Sequence, residues 1–149
     1  MTLTRTRSVF ALAAGLAGCA SNLSSEQVGP KDTGFEDVSD LDGPIIEHSP
    51  VEEAQPLGTD VDIYAVIVDE ESGVFLTKLY YKNETSGSGD WESTAMTPLE
   101  ADEWVGTIPG EAQSSGGMNY YISAVDAAQN ESASPEKGAE DPWHFRLYE

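Results

Sequence analysis

From Gly43 to the end of the chain, apolar residues recur at every second position, and nowhere with the three-and-four spacing of a helix. In DVDIYAVIVD, Val61, Ile63, Ala65 and Ile67 share one face, and in VFLTKLYYK so do Phe75, Thr77, Leu79 and Tyr81. EWVGTIP sets Trp104 and Ile108 on one side, MNYYISAVD alternates Tyr120, Ile122 and Ala124 against Tyr121, Ser123 and Val125, and PWHFRLY aligns Trp143, Phe145 and Leu147. PIIEH (Pro44 to His48) supplies an opening strand and WESTAMT a weaker strand at an edge. Two is the period at which strand side chains change sides, so each segment has one face that needs a second layer to cover it. EESG, NETSGSGD, IPGEAQSSGG and AAQNESASPEKG separate the segments as turns. Seven short strands without a helical stretch predict an all-β, two-sheet antiparallel sandwich over residues 44–149.

The first 43 residues follow other rules. Arg5 and Arg7 precede an apolar run of ten residues, Val9 to Gly18. That is the length of a signal-peptide core and too short to cross about 30 Å of hydrocarbon as a helix. The run ends at Cys19, the single cysteine, which has no partner for an intrachain disulfide and no companions for a zinc site. An intermolecular bond, an inert thiol or a covalent modification remains. Leu16, Ala17, Gly18 and Cys19 resemble the lipobox of bacterial lipoprotein signal peptides. The resemblance implies cleavage of residues 1–18, a diacylglyceryl group on Cys19 and an acylated new amino terminus. Two or three acyl chains, each buried CH₂ contributing about 0.8 kcal/mol, make a stable membrane anchor. By the same resemblance, Ala20 after the cysteine favours the outer membrane, with the periplasmic or surface side left open.

Residues 19–43 carry Ser, Gly and Asp without apolar periodicity and are expected to form a disordered acidic linker. All 27 acidic residues lie after the cut and two of the seven bases go with the signal, so the mature charge is 5 minus 27, or −22. A field of that sign excludes nucleic acid and anionic lipid as general partners.

GPIIEHSP, VDEESGVFLTKLYYK, WVGTIPG and YYISAVDAAQNES together resemble a fibronectin type III or immunoglobulin-like domain of bacterial envelope proteins. In that pattern an Asp-x-x-Ser-Gly-Val turn leads into a tyrosine-bearing strand, and a late Tyr-Tyr-x-x-Ala-x-Asp strand ends in Asn. This chain has one extra acidic residue in the turn Asp69 to Val74, and Gln129 where a glycine is usual before Asn130. The resemblance implies that Tyr120 is a buried corner tyrosine whose hydroxyl bonds a nearby backbone group.

If successive strands run antiparallel, the loops around Asp69, Glu70 and Glu71, around Glu100, Asp102 and Glu103, and after Asp126 share one pole with the start of the domain. Carboxylates packed there repel one another, and calcium, with six to eight oxygen ligands, would neutralise them. Asp69, Glu71, Asp126 and Asn130 are the candidate ligands. The EF-hand pattern is absent, and Asp and Asn in turns also bond their own backbone. Trp91, Trp104 and Trp143 with Tyr64, Tyr80 and Tyr121 are candidates for a sugar-stacking strip; in a small sandwich Trp104 and Trp143 are expected in the core, Tyr80 and Tyr121 as surface neighbours. The sequons at Asn22, Asn83 and Asn130 are expected to be turn and linker residues.

No nucleophile with a base, histidine cluster, phosphate-cradling loop or recognisable catalytic carboxylate pair stands in the sequence. The expectation is a non-enzymatic, lipid-anchored envelope protein. Its monomeric sandwich would serve as a protein-interaction or structural module by strand addition or loop contact, or as a glycan-binding domain. Apart from the lipid and the candidate calcium, no cofactor is expected.

Overall fold

A computed structural model of the chain describes residues 40–87 and 89–149. The signal segment, Cys19, Asn22 and the linker up to residue 39 lie outside the described residues. Ten strand segments follow in the order β1 (Ile45–Glu47), β2 (Gln55–Pro56), β3 (Val61–Val68), β4 (Val74–Asn83), β5 (Glu92–Ala95), β6 (Thr97–Pro98), β7 (Glu103–Ile108), β8 (Gly117–Asp126), β9 (Glu131–Ser134) and β10 (Trp143–Tyr148). Among the described residues the remaining regular structure is two single 3-10 turns, at Gly110–Ala112 and Gly138–Glu140.

The strands form two sheets. One runs β1-β3-β7-β6; the other runs β2-β10-β8-β4-β5, with β9 also beside β8. Strict alternation explains the central strands: Val61, Ile63, Ala65 and Ile67 of β3 are all buried, and Asp62, Tyr64 and Val66 between them are exposed. Ile108 joins them from β7; Leu79, Tyr81, Met118, Tyr120, Ile122, Ala124 and Phe145 face them from the second sheet, giving one shared core. Burying each large apolar side chain of this kind contributes about 1.5 to 3 kcal/mol. The sheets approach closely at Gly106, where an added Cβ would meet Met96 Cγ at 2.9 Å and Leu79 Cβ at 3.0 Å. Trp104 and Trp143 are half-buried and pack against this core from its sides.

Four features differ from the sequence expectation. β2, β6 and β9 are additional strands; two-residue pairings show no period, and β9 lies in the serine-rich segment expected to be a turn. β2 pairs parallel with β10, so the sandwich is not wholly antiparallel. Pro50, which lacks an N–H, follows β1 closely, and the chain leaves β3 for the other sheet instead of extending that ladder. Phe75 does not share the buried face of Thr77, Leu79 and Tyr81: the β4–β8 register shifts between Val74 and Leu76, and Phe75 is 68 % exposed. A bulge adds one residue and reverses the parity behind it. Finally, residues 40–43 are part of the folded unit. Asn130 Nδ2 donates to the Asp40 carbonyl at 3.1 Å, and Gly43 lies so close to Ser132 that a side chain there would collide with it.

Candidate functional site

The acidic pole is built by two strand ends that fold back in the same way. β3 ends before Asp69, whose Oδ1 accepts the N–H of Ser72 at 2.8 Å and of Gly73 at 2.7 Å. β8 ends at Asp126, whose Oδ1 accepts the N–H of Asn130 at 2.8 Å, four residues on, as Gly73 is from Asp69. The Ala127 N–H donates to the Gly73 carbonyl at 3.0 Å and ties the two turns together. Short polar side chains that bond the backbone of their own turn are a common use of Asp. Here they also bring two carboxylates to one place.

A third carboxylate comes from the residues just before β1. One carboxylate oxygen each from Asp40, Asp69 and Asp126 lie within 4.8 Å of one another. Asp126 is fully buried, and its Oδ2 accepts the Asn130 side-chain amide at 2.8 Å. Asp40 Oδ1 accepts the Asp42 N–H at 3.2 Å, and Asp40 Oδ2 is buried without a hydrogen-bond partner. Among the described residues no Lys or Arg lies within ion-pair distance of the three. A cavity of about 260 Å³ opens beside them, lined by Asp40, Asp42, Asp69, Glu70 and Glu71 among others.

The protonation of the cluster follows from this crowding. The Ser72 hydroxyl beside it holds the Asp40 carboxyl below the usual carboxylate range, against an opposing effect of burial. Glu71 is pushed upward by its hydrogen-bonding contact with Asp40 and then by the charges of Asp40, Asp42 and Asp69.

Of the four expected ligands, Asp69 and Asp126 converge, and Glu71 stands exposed at the rim of the cavity. Asn130 braces the site: its Nδ2 donates to Asp126 Oδ2 and to the Asp40 and Asp42 carbonyls. The missing member was Asp40, assigned from sequence to the linker. Its signal is the Asp-Leu-Asp-Gly run immediately before the opening strand.

Two oxygens bound to one calcium ion at 2.3–2.6 Å are at most about 5 Å apart, and at the 2.0–2.1 Å of magnesium about 4 Å. Oxygens that all lie within 4.8 Å of one another are close enough to share one calcium ion.

Tyr120, the expected corner tyrosine, is fully buried, and its hydroxyl accepts the Val51 N–H at 3.1 Å. That backbone group is close in space and 69 residues away in sequence. The same hydroxyl lies 2.9 Å from His48 Nε2. His144 faces solvent, 3.6 Å from Glu84. Asn83 is buried and anchors a turn, its Nδ2 donating to the Ser114 carbonyl at 3.1 Å.

Tyr80 and Tyr121 are direct partners across β4 and β8 and stack on each other, 4.7 Å between centroids and 4° between planes. Trp91 meets Tyr121 at 78°, and Lys82 Nζ sits 4.7 Å from the Trp91 ring centroid. All four residues are half-buried. Tyr80 and Tyr121 thus give one face each to the other, and the Lys82 ammonium covers the Trp91 ring.

No protein-family model matches this sequence, and no curated protein sequence matches it. Among the described residues no helix is long and apolar enough to cross a membrane.

Proposed function

We propose that this chain is a lipid-anchored bacterial envelope protein that displays a fibronectin type III or immunoglobulin-like sandwich as a non-enzymatic binding module. Calcium at its acidic pole would fasten the domain to the first residues of its tether. The observation that carries the reading is the convergence of Asp40, Asp69 and Asp126 within 4.8 Å, with no cationic side chain among the described residues to neutralise them. Asp40 stands where the linker meets the domain, whereas Asp69 and Asp126 end strands in opposite sheets. An ion held by all three would cross-link tether, first sheet and second sheet. Asn130 and Glu71 complete the set, one bracing the carboxylates and the other available at the rim.

The sandwich class is supported by two sheets around one core, by the buried tyrosine of β8, and by the backbone at Gln129. That residue has φ +75°, the conformation for which the family pattern uses glycine. The anchor rests on the lipobox residues Leu16 to Cys19, and the outer membrane on Ala20.

Calorimetry on the full chain tests the calcium reading. Saturable binding of one ion with a dissociation constant of roughly 10⁻⁴ to 10⁻³ M, the class of extracellular calcium modules, is expected. No saturable heat at millimolar calcium would end it. Mass spectrometry of the native protein tests the anchor, which an unmodified chain starting at Met1 would refute.

A further inference from the structure

β3 is a strand of eight residues, but β1 covers only part of one side. The β1–β3 ladder spans Val66 to Val68 and stops, because after Glu47 the chain turns away toward β2. Backbone groups of a strand alternate between its two neighbours. The Ile67 N–H goes to the Asp102 carbonyl on the β7 side, and the Tyr64 carbonyl accepts the His48 ring at 2.7 Å on the β1 side. By that parity the Tyr64 N–H and both backbone groups of Asp62 face the uncovered side. No backbone hydrogen bond from residues 48–51 reaches them.

A groove of about 370 Å³ lies along this stretch, between β3 and the segment 48–51 that leaves β1 without pairing to it. Tyr64, 50 % exposed, and Val66, 38 % exposed, give it an apolar surface. Its charged residues are all acidic: Asp62, and Glu47 and Glu103, which flank Val66 in one row across the three strands. The four bases of residues 40–149, Lys78, Lys82, Lys137 and Arg146, belong to the second sheet and the turn after β9.

We infer that this open edge of β3 is a docking site for an extended basic peptide, which adds to the first sheet as a short strand beside Val61–Ala65. Unpaired strand backbone supplies the main-chain bonds, a side chain of the peptide meets Tyr64, and its cations meet Asp62 and enter the field of Glu47 and Glu103. Complementary charge selects the basic peptide and speeds its arrival. The inference rests on the reading of the domain as a binding module and uses none of the residues of the acidic pole.

Amide hydrogen exchange on the full chain, with calcium and then with chelator, tests it against two synthetic peptides, one alternating lysine and valine, the other glutamate and valine. The lysine peptide should slow exchange at Asp62 and Tyr64 at least tenfold, and the glutamate peptide should not. The double variant Glu47→Lys, Glu103→Lys changes two exposed side chains and should lose the protection while Tyr120 and Ile122 remain protected. Should that variant not fold, the contrast between the two peptides on the unaltered chain decides. Equal protection by both peptides, none by the lysine peptide at millimolar concentration, or full protection in the folded variant overturns the inference. Peptide protection without calcium binding would sink the calcium reading alone, and the converse would sink this one alone.

Discussion

His48 and Tyr120 fix each other's hydrogens. The carbonyl of Tyr64, 2.7 Å from His48 Nδ1, can only accept, so Nδ1 carries the proton. The Tyr120 hydroxyl accepts the Val51 N–H and has one hydrogen of its own, which it gives to His48 Nε2 at 2.9 Å. Protonating Nε2 would set donor against donor within a half-buried contact. Burial accordingly pushes the His48 pKa below its ordinary value, against the pull of the Tyr64 carbonyl. A group held below its unfolded pKa leaves the unfolded chain with more bound protons in the interval between the two. Stability should be full above about pH 6.5 and fall as the pH drops from there through the folded-state pKa of His48. Urea unfolding between pH 5 and 8 measures this, and His48→Gln should flatten the slope. Tyr120→Phe should cost about 1 to 3 kcal/mol at pH 7.5 by leaving the imidazole and the Val51 N–H without their partner.

Thr77 lies on the buried face of β4, 2 % exposed, and its hydroxyl has no hydrogen-bond partner. An unpaired buried hydroxyl costs about 1 to 3 kcal/mol, and valine has nearly the same shape without it. Thr77→Val should therefore stabilise the domain by about 1 kcal/mol, read as a higher urea midpoint at unchanged slope.

The strands and their buried faces were legible because alternation over six or more residues admits one strand register only, as in Val61 to Ile67. Phe75 escaped because a bulge depends on the partner strand, and no pattern within β4 announces it. β2 escaped because Gln55 and Pro56 are too short to carry a period, although Pro50 marks where the opening strand stops. At the acidic pole the loop carboxylates Asp69 and Asp126 were legible from strand order. Asp40 was not, since composition alone made its segment a linker, and it is tertiary contact, such as the Asn130 amide against its carbonyl, that joins it to the domain. The open edge of β3 is invisible in sequence, being the consequence of where β1 departs.

Gln129 links a departure in sequence to a strain in structure. Its φ of +75° is left-handed, where an L side chain crowds its own backbone at a cost of about 1 to 2 kcal/mol, and glycine does not. Glycine also loses more entropy on folding, which offsets part of the gain. Gln129→Gly should stabilise the domain by about 0.5 to 1 kcal/mol in thermal unfolding, and a loss would show that the side chain makes contacts outweighing its strain.

Asp40→Asn and Asp126→Ala separate a calcium site from a polar turn by the sign of their effects. Asp126 accepts the backbone N–H and the side-chain amide of Asn130, both at 2.8 Å. Its removal orphans both and should cost about 2 to 4 kcal/mol whether or not calcium is present. Asp40 contributes charge to a cluster that has no cation beside it among the described residues, so Asp40→Asn should leave stability in chelator unchanged or slightly raised, by relieving repulsion from Asp69 and Asp126. In calcium the order reverses. An ion at ten to a hundred times its dissociation constant stabilises the native state by about 1.4 to 2.7 kcal/mol, and Asp40→Asn should forfeit most of that increment. Thermal unfolding of both variants and the parent in calcium and in chelator gives the comparison. If the parent shows no calcium increment, or if Asp40→Asn keeps it, the three carboxylates are turn-forming residues and nothing more.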